Sequence, residues 1–154
     1  MKSPFEPETN HRFLAFFMFQ GIPDVLSIRF QRISGLSREI QTQRIREGGN
    51  NVANQFIPRG VSYPNLIFER GVMTVSPLTV AFDFVMSGFQ TGALPINVDI
   101  LLLNELNIPV ASWYATGLMP VRMSIGDFDA SSGGILMNRM EVACERVEWL
   151  GVKL

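Results

Sequence analysis

Short apolar runs that end at glycine, proline or asparagine dominate this sequence and limit most of it to β-strands. One run lies at residues 13–20 and is followed by Gly21 and Pro23; another lies at residues 96–103 and is followed by Asn104. Apolar runs of about four to eight residues between turn-forming residues are typical of buried strands, because globular helices are longer. We therefore predict a mainly β fold, organised as a small antiparallel β-barrel or sandwich.

Further strands follow from the same pattern. Over residues 25–33, Ile28 and Phe30 share one face while Arg29 and Gln31 share the other, which is the alternation of a half-buried strand. A turn at residues 21–24 would make this strand the antiparallel neighbour of the first. The remaining predicted strands lie at residues 65–70, 96–103, 108–115 and 120–125, with a turn at residues 104–107 and a loop at residues 127–134.

The carboxyl-terminal segment fits two secondary structures. Met140, Ala143 and Val147 are spaced as on one face of a helix, whereas residues 140–145 alternate between apolar and charged side chains as a strand does. We prefer a long final strand, because the rest of the chain is rich in predicted strands. The adjacent polar pair at residues 145–146 then predicts a β-bulge, since it shifts the alternation by one residue.

One segment has clear helical character. Ser76 is a suitable N-cap, Pro77 is favourable at the first helical position, and Leu78 and Phe82 recur at helical spacing. We predict one short α-helix at about residues 77–86. Because most of its faces are apolar, we expect it to flank the sheet and to cover one end of it.

Size and charge narrow the class of protein. The chain, residues 1–154, has the length of one domain and contains no internal repeat or linker, so we predict a single domain. A formal net charge of −1 gives no general attraction to nucleic acid or to an anionic membrane. Apolar residues make up 47% and charged residues 18%. Soluble domains have roughly 25% charged residues, so we expect partners to cover part of this surface.

Residues 36–47 are polar on both sides of an extended chain. Arg38, Arg44 and Arg46 fall on one side, and the opposite side is also polar, so neither side suits the domain's own core. We predict an exposed arm. Residues 48–60 are rich in glycine and asparagine, and we predict a long mobile loop of the kind that is often functional.

Patterns that would indicate catalysis or ligand binding are sparse. The one histidine, His11, and the one cysteine, Cys144, lie far apart in sequence, and nothing indicates that they form a nucleophile–base pair. Asp127 and Asp129 alternate as at the start of a calcium loop, but the other ligands are missing, so we expect them to cap their own loop. We expect no enzymatic activity, no cofactor and no metal site, with an unrecognised hydrolase as the least favoured alternative.

Several short motifs occur in a fixed order along the chain. They are ISGLS at residues 33–37, REGGNN at residues 46–51, YPNL at residues 63–66, ERGV at residues 69–72, VASW at residues 110–113 and MEVACE at residues 140–145. In this order the sequence resembles the phage tail tube family, which includes the inner tubes of contractile phage tails and of extracellular contractile injection systems. The type VI secretion tube protein is a structural relative of that family.

The resemblance implies a structural role. The expected product is a six-membered ring that stacks into a hollow conduit for cargo, inside a sheath and next to baseplate and spike proteins. Assembly is expected in the bacterial cytoplasm, followed by incorporation into a phage tail or a phage-tail-like particle, without membrane insertion or specific nucleic-acid binding. Ring or subunit contacts are expected at Arg38, Arg44, Arg46, Glu47, Gly48, Gly49, Asn50 and Asn51.

Because the sequence departs from the family pattern in two places, it does not decide which kind of ring the chain forms. Residues 57–60 read Ile-Pro-Arg-Gly where the family has Leu-Pro-Gly, and the predicted helix lacks the family's usual tryptophan. The chain is either the repeated tube protein or the tube-initiator ring next to the baseplate, in a phage or in an injection system. An OB-like nucleic-acid-binding barrel is the alternative, in which the arm's arginines and Phe30 or Phe56 would form a basic, aromatic platform.

Overall fold

The computed structural model describes residues 12–19, 21–24, 30–46, 48–49, 52–71, 77–87, 96–131, 133–134 and 136–150. Its elements, in chain order, are β1 (Phe13–Phe19), β2 (Ile22–Asp24), β3 (Arg32–Ser34), β4 (Glu39–Ile45), β5 (Gln55–Ser62), β6 (Leu66–Gly71), α1 (Pro77–Met86), β7 (Ile96–Leu103), β8 (Pro109–Ile125), β9 (Met137–Ala143) and β10 (Arg146–Leu150). A mainly β fold with one short helix is confirmed, and the helix has the predicted bounds.

Eight strands form one antiparallel sheet in the order β2-β1-β7-β8-β9-β6-β3, and β10 also pairs with β8. The aromatic rings of Phe17 on β1 and Phe68 on β6 have centroids 5.1 Å apart, although these strands are not neighbours in the sheet. Phe30 contacts both rings at 5.8 and 5.3 Å. The sheet therefore curls over a shared core, and its described strands form an open sheet rather than a closed barrel.

The core lies on the inner face of this curled sheet. Burial of one phenylalanine side chain stabilises a fold by roughly 2–3 kcal/mol relative to exposure, so the aromatic rings are a large part of the core energy. The fully buried side chains that fill the core include Phe17, Leu66, Phe68, Leu78, Phe82, Ile96, Val98, Leu118, Met140 and Val142.

Helix α1 packs its apolar face against β8. Leu78 and Phe82 are buried there, whereas Val80, Phe84 and Met86 on its outer side are exposed. This confirms a flanking helix, and it shows that only part of the helix's apolar surface is covered. Within the described residues, no helix is both long enough and apolar enough to cross a membrane.

The longest strand, β8, corrects the prediction of two strands at residues 108–115 and 120–125. It is continuous from Pro109 to Ile125, and it passes through Gly117 at a φ of 63°. Glycine adopts this backbone conformation without strain. The backbone of β8 can therefore turn at Gly117 and pair with a different strand on either side of it, while β8 stays within the sheet. Residues 112–116 pair with β10, and residues 119–125 pair with β9.

The carboxyl-terminal segment consists of strands, as preferred from the sequence. β9 and β10 are separated at residues 144–145, where the backbone N–H of Glu145 donates to the carbonyl of Thr116 at 3.0 Å. Val142 and Val147 are both buried although they are an odd number of residues apart. The alternation of buried side chains therefore shifts here, but the predicted single strand with a β-bulge is wrong. Met119 pairs with Ala143 and Thr116 pairs with Arg146, so the same number of residues lies between the two pairs on both strands and no extra residue is inserted.

The amino-terminal prediction is correct only in part. β1 pairs antiparallel with β2, and Gly21 between them has a φ of 84°. Residues 22–24, predicted as a turn, are therefore a short strand. Proline has no backbone N–H to donate to a neighbouring strand, and Pro23 is tolerated because β2 is at the end of the order of described strands. The predicted strand at residues 25–33 falls largely on residues 25–29, outside the described residues, and its end forms β3.

Candidate assembly surface

The hairpin of β4 and β5, which we call the arm, is separate from the main sheet. The two strands pair only with each other in the described part of the chain, from Glu39 opposite Ser62 to Ile45 opposite Gln55. Every described residue from 37 to 61 is exposed. The predicted exposed arm is confirmed. A two-stranded hairpin is marginally stable alone in water, so the arm is a candidate for contact with a partner.

Strand β5 corrects the prediction of a loop over residues 48–60. Gln41 pairs with Gly60 and Thr42 pairs with Pro58, which leaves Arg59 as an extra residue in a β-bulge. Proline cannot donate a ladder hydrogen bond and is tolerated at bulges and edges. Pro58 and Gly60 therefore act as bulge residues here, although they resemble loop residues in the sequence.

The bulge decides which side chains share a face of the arm. Residues directly opposite each other in an antiparallel pair lie on the same face, and Ile40 pairs with Val61 while Arg44 pairs with Phe56. Without the extra residue Arg59, Val61 and Phe56 would point to opposite faces. Ile40, Phe56 and Val61 are 60%, 57% and 52% exposed. We call this side the apolar arm face, and its three exposed apolar side chains make it a candidate contact surface.

The opposite face of the arm is largely polar. The Nε of Arg59 donates a hydrogen bond to Oε1 of Gln43 at 2.7 Å, which holds the bulge residue over that face. This face also carries the exposed side chains of Ile45 and Ile57, so the two faces differ in the share of apolar residues.

The predicted contact residues lie together on the arm. Arg38, Arg44 and Arg46 are exposed, and Gly48 and Gly49 form a turn beyond β4. Whether they contact another subunit stays a prediction. Three more predicted contact residues lie outside the described residues: Glu47, Asn50 and Asn51.

A groove lies at the base of the arm. It encloses about 300 Å³ and is lined by Leu36, Ser37, Arg38, Trp113, Val147 and Trp149. Trp113 on β8 and Trp149 on β10 are directly opposite each other, with ring centroids 5.7 Å apart. Sequence reasoning missed this tryptophan groove, because the two tryptophans are far apart in the chain and meet only through the pairing of β8 with β10.

An acidic, aromatic loop follows the other end of β8. Oδ1 of Asp129 accepts hydrogen bonds from the backbone N–H and the hydroxyl of Ser131, at 2.9 and 2.6 Å. The N–H of Gly126 donates to the carbonyl of Met137 at 2.8 Å. The loop-capping role predicted for Asp129 is confirmed. These contacts hold the loop while Phe128 remains 84% exposed.

The residues considered for catalysis are not brought together. His11 lies outside the described residues. Cys144 contacts the carbonyl oxygen of Pro64 at 3.8 Å, and burial raises the pKa of its thiol, which favours the unreactive protonated form. No group of three or more His, Cys, Asp or Glu in the described parts of the chain could hold a metal ion.

The aromatic platform of the OB-like alternative is incomplete. Phe30 is buried in the core against Phe17 and Phe68, with the guanidinium carbon of Arg70 5.4 Å from its ring centroid. A base cannot stack on a ring that is covered in this way. The proposed role of Phe30 as a stacking residue is therefore wrong, and Phe56 alone of the two suggested rings is accessible.

Comparison with known proteins relates the chain to one family. The family model of the T4-like virus tail tube protein gp19 matches residues 10–148. A chain in the cryo-EM structure of the anti-feeding prophage baseplate, six-fold symmetrised, is 45% identical, with a TM-score of 0.87 over 97% of this chain and 99% of that chain. A search of curated proteins finds no match.

More distant structures show the same fold. A chain in the cryo-EM structure of the PVC sheath-tube complex, an extracellular contractile injection system in its extended state, is 22% identical, with a TM-score of 0.79 over 97% of this chain and 95% of that chain. Hcp1 from E. coli EAEC 042 is 7% identical, with a TM-score of 0.54 over 92% of each chain.

Proposed function

This chain belongs to the T4-like virus tail tube protein family, and we propose that it forms the tube ring next to the baseplate of a contractile injection particle. It is a tail tube protein of the kind found in such particles. What we propose beyond family membership is the position of the chain in the tube. A specialised initiator ring lies next to the baseplate, whereas the repeated subunit occurs along the whole tube.

The observation that carries this position is the difference between two sequence identities. The chain is 45% identical to a chain of the anti-feeding prophage baseplate but 22% identical to a chain of the PVC sheath-tube complex. Both comparisons cover 97% of this chain, so the difference does not come from partial matches. It supports a baseplate-proximal ring over a ring repeated along the sheathed tube.

The architecture supports assembly into a ring. The anti-feeding prophage baseplate is six-fold symmetrised, so we propose a ring of six copies. β2 and β3 end the order of the described strands and are candidates for pairing with neighbouring subunits, which would cover exposed sheet edges. The apolar arm face and the arginines of the arm would then contact adjacent subunits, sheath or baseplate proteins.

The proposed role is that of a conduit wall rather than an enzyme. Burial favours the protonated, unreactive form of Cys144, the one cysteine of the sequence. Cargo would pass through the lumen of the ring. We propose that the subunits assemble in the bacterial cytoplasm before they join the particle.

Electron microscopy of the purified chain tests ring formation. We expect rings with six-fold symmetry, and a native mass of six subunits. A stable monomer at concentrations at which the wild-type particle assembles contradicts the proposal. If that monomer bound oligonucleotides with a steep salt dependence, the OB-like alternative would be favoured instead.

A further inference from the structure

The two ends of strand β8 carry surfaces that complement each other. Ile125 at one end leads into the loop that contains Phe128, and Trp113 near the other end lines the tryptophan groove. Ile125 lies twelve positions after Trp113 along β8. At about 3.3 Å per residue, this is roughly 40 Å along the strand. The loop and the groove of one molecule therefore lie at opposite ends of β8.

Phe128 has the properties of an anchor residue. Its side chain is 84% exposed, and the hydrogen bonds from Ser131 to Asp129 order the loop that presents it. An ordered loop loses little conformational entropy when it binds, so its exposed ring is suited to insertion in a partner. Asp127 and Asp129 place negatively charged side chains on both sides of Phe128 in the sequence.

The tryptophan groove has the matching size and chemistry. Its volume of about 300 Å³ is enough for one phenylalanine side chain. Trp113 and Trp149 offer two aromatic surfaces, and aromatic rings prefer tilted or offset contacts with centroids about 4.5–7 Å apart. Trp149 is 63% exposed, so the groove is accessible.

The charges at the two surfaces are also complementary. Arg38 lines the groove, whereas Asp127 precedes the anchor ring. Neither residue has an ion-pair partner among the described residues. Nearby Arg146 is already 3.0 Å from Glu148 in its own chain, which leaves Arg38 as the available cation of the groove.

We propose that Phe128 of one copy inserts into the tryptophan groove of a second copy, where Asp127 approaches Arg38. The contact is head-to-tail, because it joins different surfaces at opposite ends of β8. Repeated head-to-tail contacts close into a ring or extend into a filament. The inference rests on the proposed function, since it identifies the surfaces through which copies of this chain associate.

The chain contains two tryptophans, and both line the groove. Their intrinsic fluorescence therefore reports directly on its occupancy. We expect the emission of assembled wild-type protein to be shifted to shorter wavelength than that of the dispersed subunit. Phe128→Ala should abolish this shift and weaken self-association by roughly thirtyfold, the effect of losing a buried aromatic anchor.

Leu106→Ala is the matched control, because Leu106 is also a highly exposed apolar residue on a turn, at the end of β7. It should leave both the fluorescence shift and self-association unchanged. Circular dichroism of each dispersed variant checks that the fold is retained. If Phe128→Ala assembles as tightly as the wild type with the same fluorescence shift, the inference is wrong while the proposed function stands.

A charge exchange tests the contact between Arg38 and Asp127. Arg38→Asp and Asp127→Arg should each weaken self-association, and the double variant should recover most of the wild-type affinity. If the two residues do not interact, their effects on the free energy of self-association add, and the double variant associates more weakly than either single variant. That result would overturn the proposed pairing.

Removal of residues 151–154 tests whether the chain's own carboxyl terminus occupies the groove. We expect the tryptophan emission of the dispersed subunit to be unchanged by this truncation. A shift to longer wavelength would assign the groove to that terminus and contradict the inference. Wild-type protein that forms no assembly under any condition would contradict the proposed function itself.

Discussion

The backbone carbonyl of Asn65 lies against the α-carbon of Gly35, in the space that a β-carbon at residue 35 would enter. Gly35 also has a φ of 91°, a conformation that favours glycine. Here the chain leaves β3 toward the arm and passes beside the start of β6. The ISGLS and YPNL motifs therefore meet at one point of the fold, and their close approach explains why one of them contains a glycine.

Gly35→Ala should destabilise the subunit strongly. The positive φ costs about 1–2 kcal/mol for a residue with a side chain, and overlap with the rigid Asn65 carbonyl adds to it. We expect a total loss of roughly 3 kcal/mol in the free energy of unfolding, measured with denaturant. Gly21→Ala is the matched control, because Gly21 has a φ of 84° but no atom within 4 Å of its added β-carbon. Equal losses for the two variants would refute the close contact.

Phe56→Ser should weaken assembly while it leaves the stability of the dispersed subunit nearly unchanged. Phe56 is exposed on the apolar arm face, so its loss removes surface that a neighbour covers. Ile57→Ser provides the control, since Ile57 is similarly exposed on the opposite face of the same strand. Native mass measurements should show a larger loss of assembly for Phe56→Ser. The reverse order would show that the other face of the arm is the binding face.

Asp99→Asn should stabilise the dispersed subunit at neutral pH. Oδ1 of Asp99 is buried without a hydrogen-bond partner among the described residues, beside Phe16 and Tyr114 on the adjacent strands. Burial raises the pKa of this carboxyl, so the fold favours its protonated form and loses stability as the pH rises through the raised pKa.

Thermal unfolding of wild type and Asp99→Asn across pH measures this effect. The melting temperature of the variant should exceed that of the wild type at pH 7, and the difference should shrink as the pH falls toward about 4, the ordinary carboxyl range. A variant less stable than the wild type at pH 7 would mean that the charged carboxylate is favourable in the fold.

Cys144 should react slowly with alkylating reagents at neutral pH. Burial raises the pKa of its thiol, and the thiolate is the reactive form. The alkylation rate of Cys144 increases as the thiol ionises. This increase should therefore occur at a higher pH in the folded subunit than in the denatured chain. An alkylation profile that rises at lower pH in the folded state would indicate an activated cysteine and reopen the question of catalysis.

Local sequence signals predicted several elements well. Pro77 and the helical spacing of Leu78 and Phe82 predicted the start of α1, because proline is favourable at the first helical position. The N-cap predicted at Ser76 lies outside the described residues. The strand character of residues 137–150 was also predictable, since residues 140–145 alternate between apolar and charged side chains, but the division into β9 and β10 was not predicted. In both cases the signal lies within the segment that it describes.

Features that depend on pairing between distant strands were not predictable. β5 was predicted as loop because Pro58 and Gly60 are breakers unless a partner strand accommodates them in a bulge. The tryptophan groove requires the pairing of Trp113 with Trp149, which depends on the register of β8 and β10. Register is set by the whole sheet, so a single segment does not reveal it.

The ratio of this chain to sheath subunits in purified particles tests the central claim most directly. A ring that occurs only next to the baseplate should be present in a fixed number of copies per particle, six for one ring of the proposed symmetry. Quantitative mass spectrometry of particles with short and long sheaths should therefore give a ratio that falls as the sheath lengthens. A constant ratio of one copy per sheath subunit would contradict the account and identify the chain as the repeated tube protein.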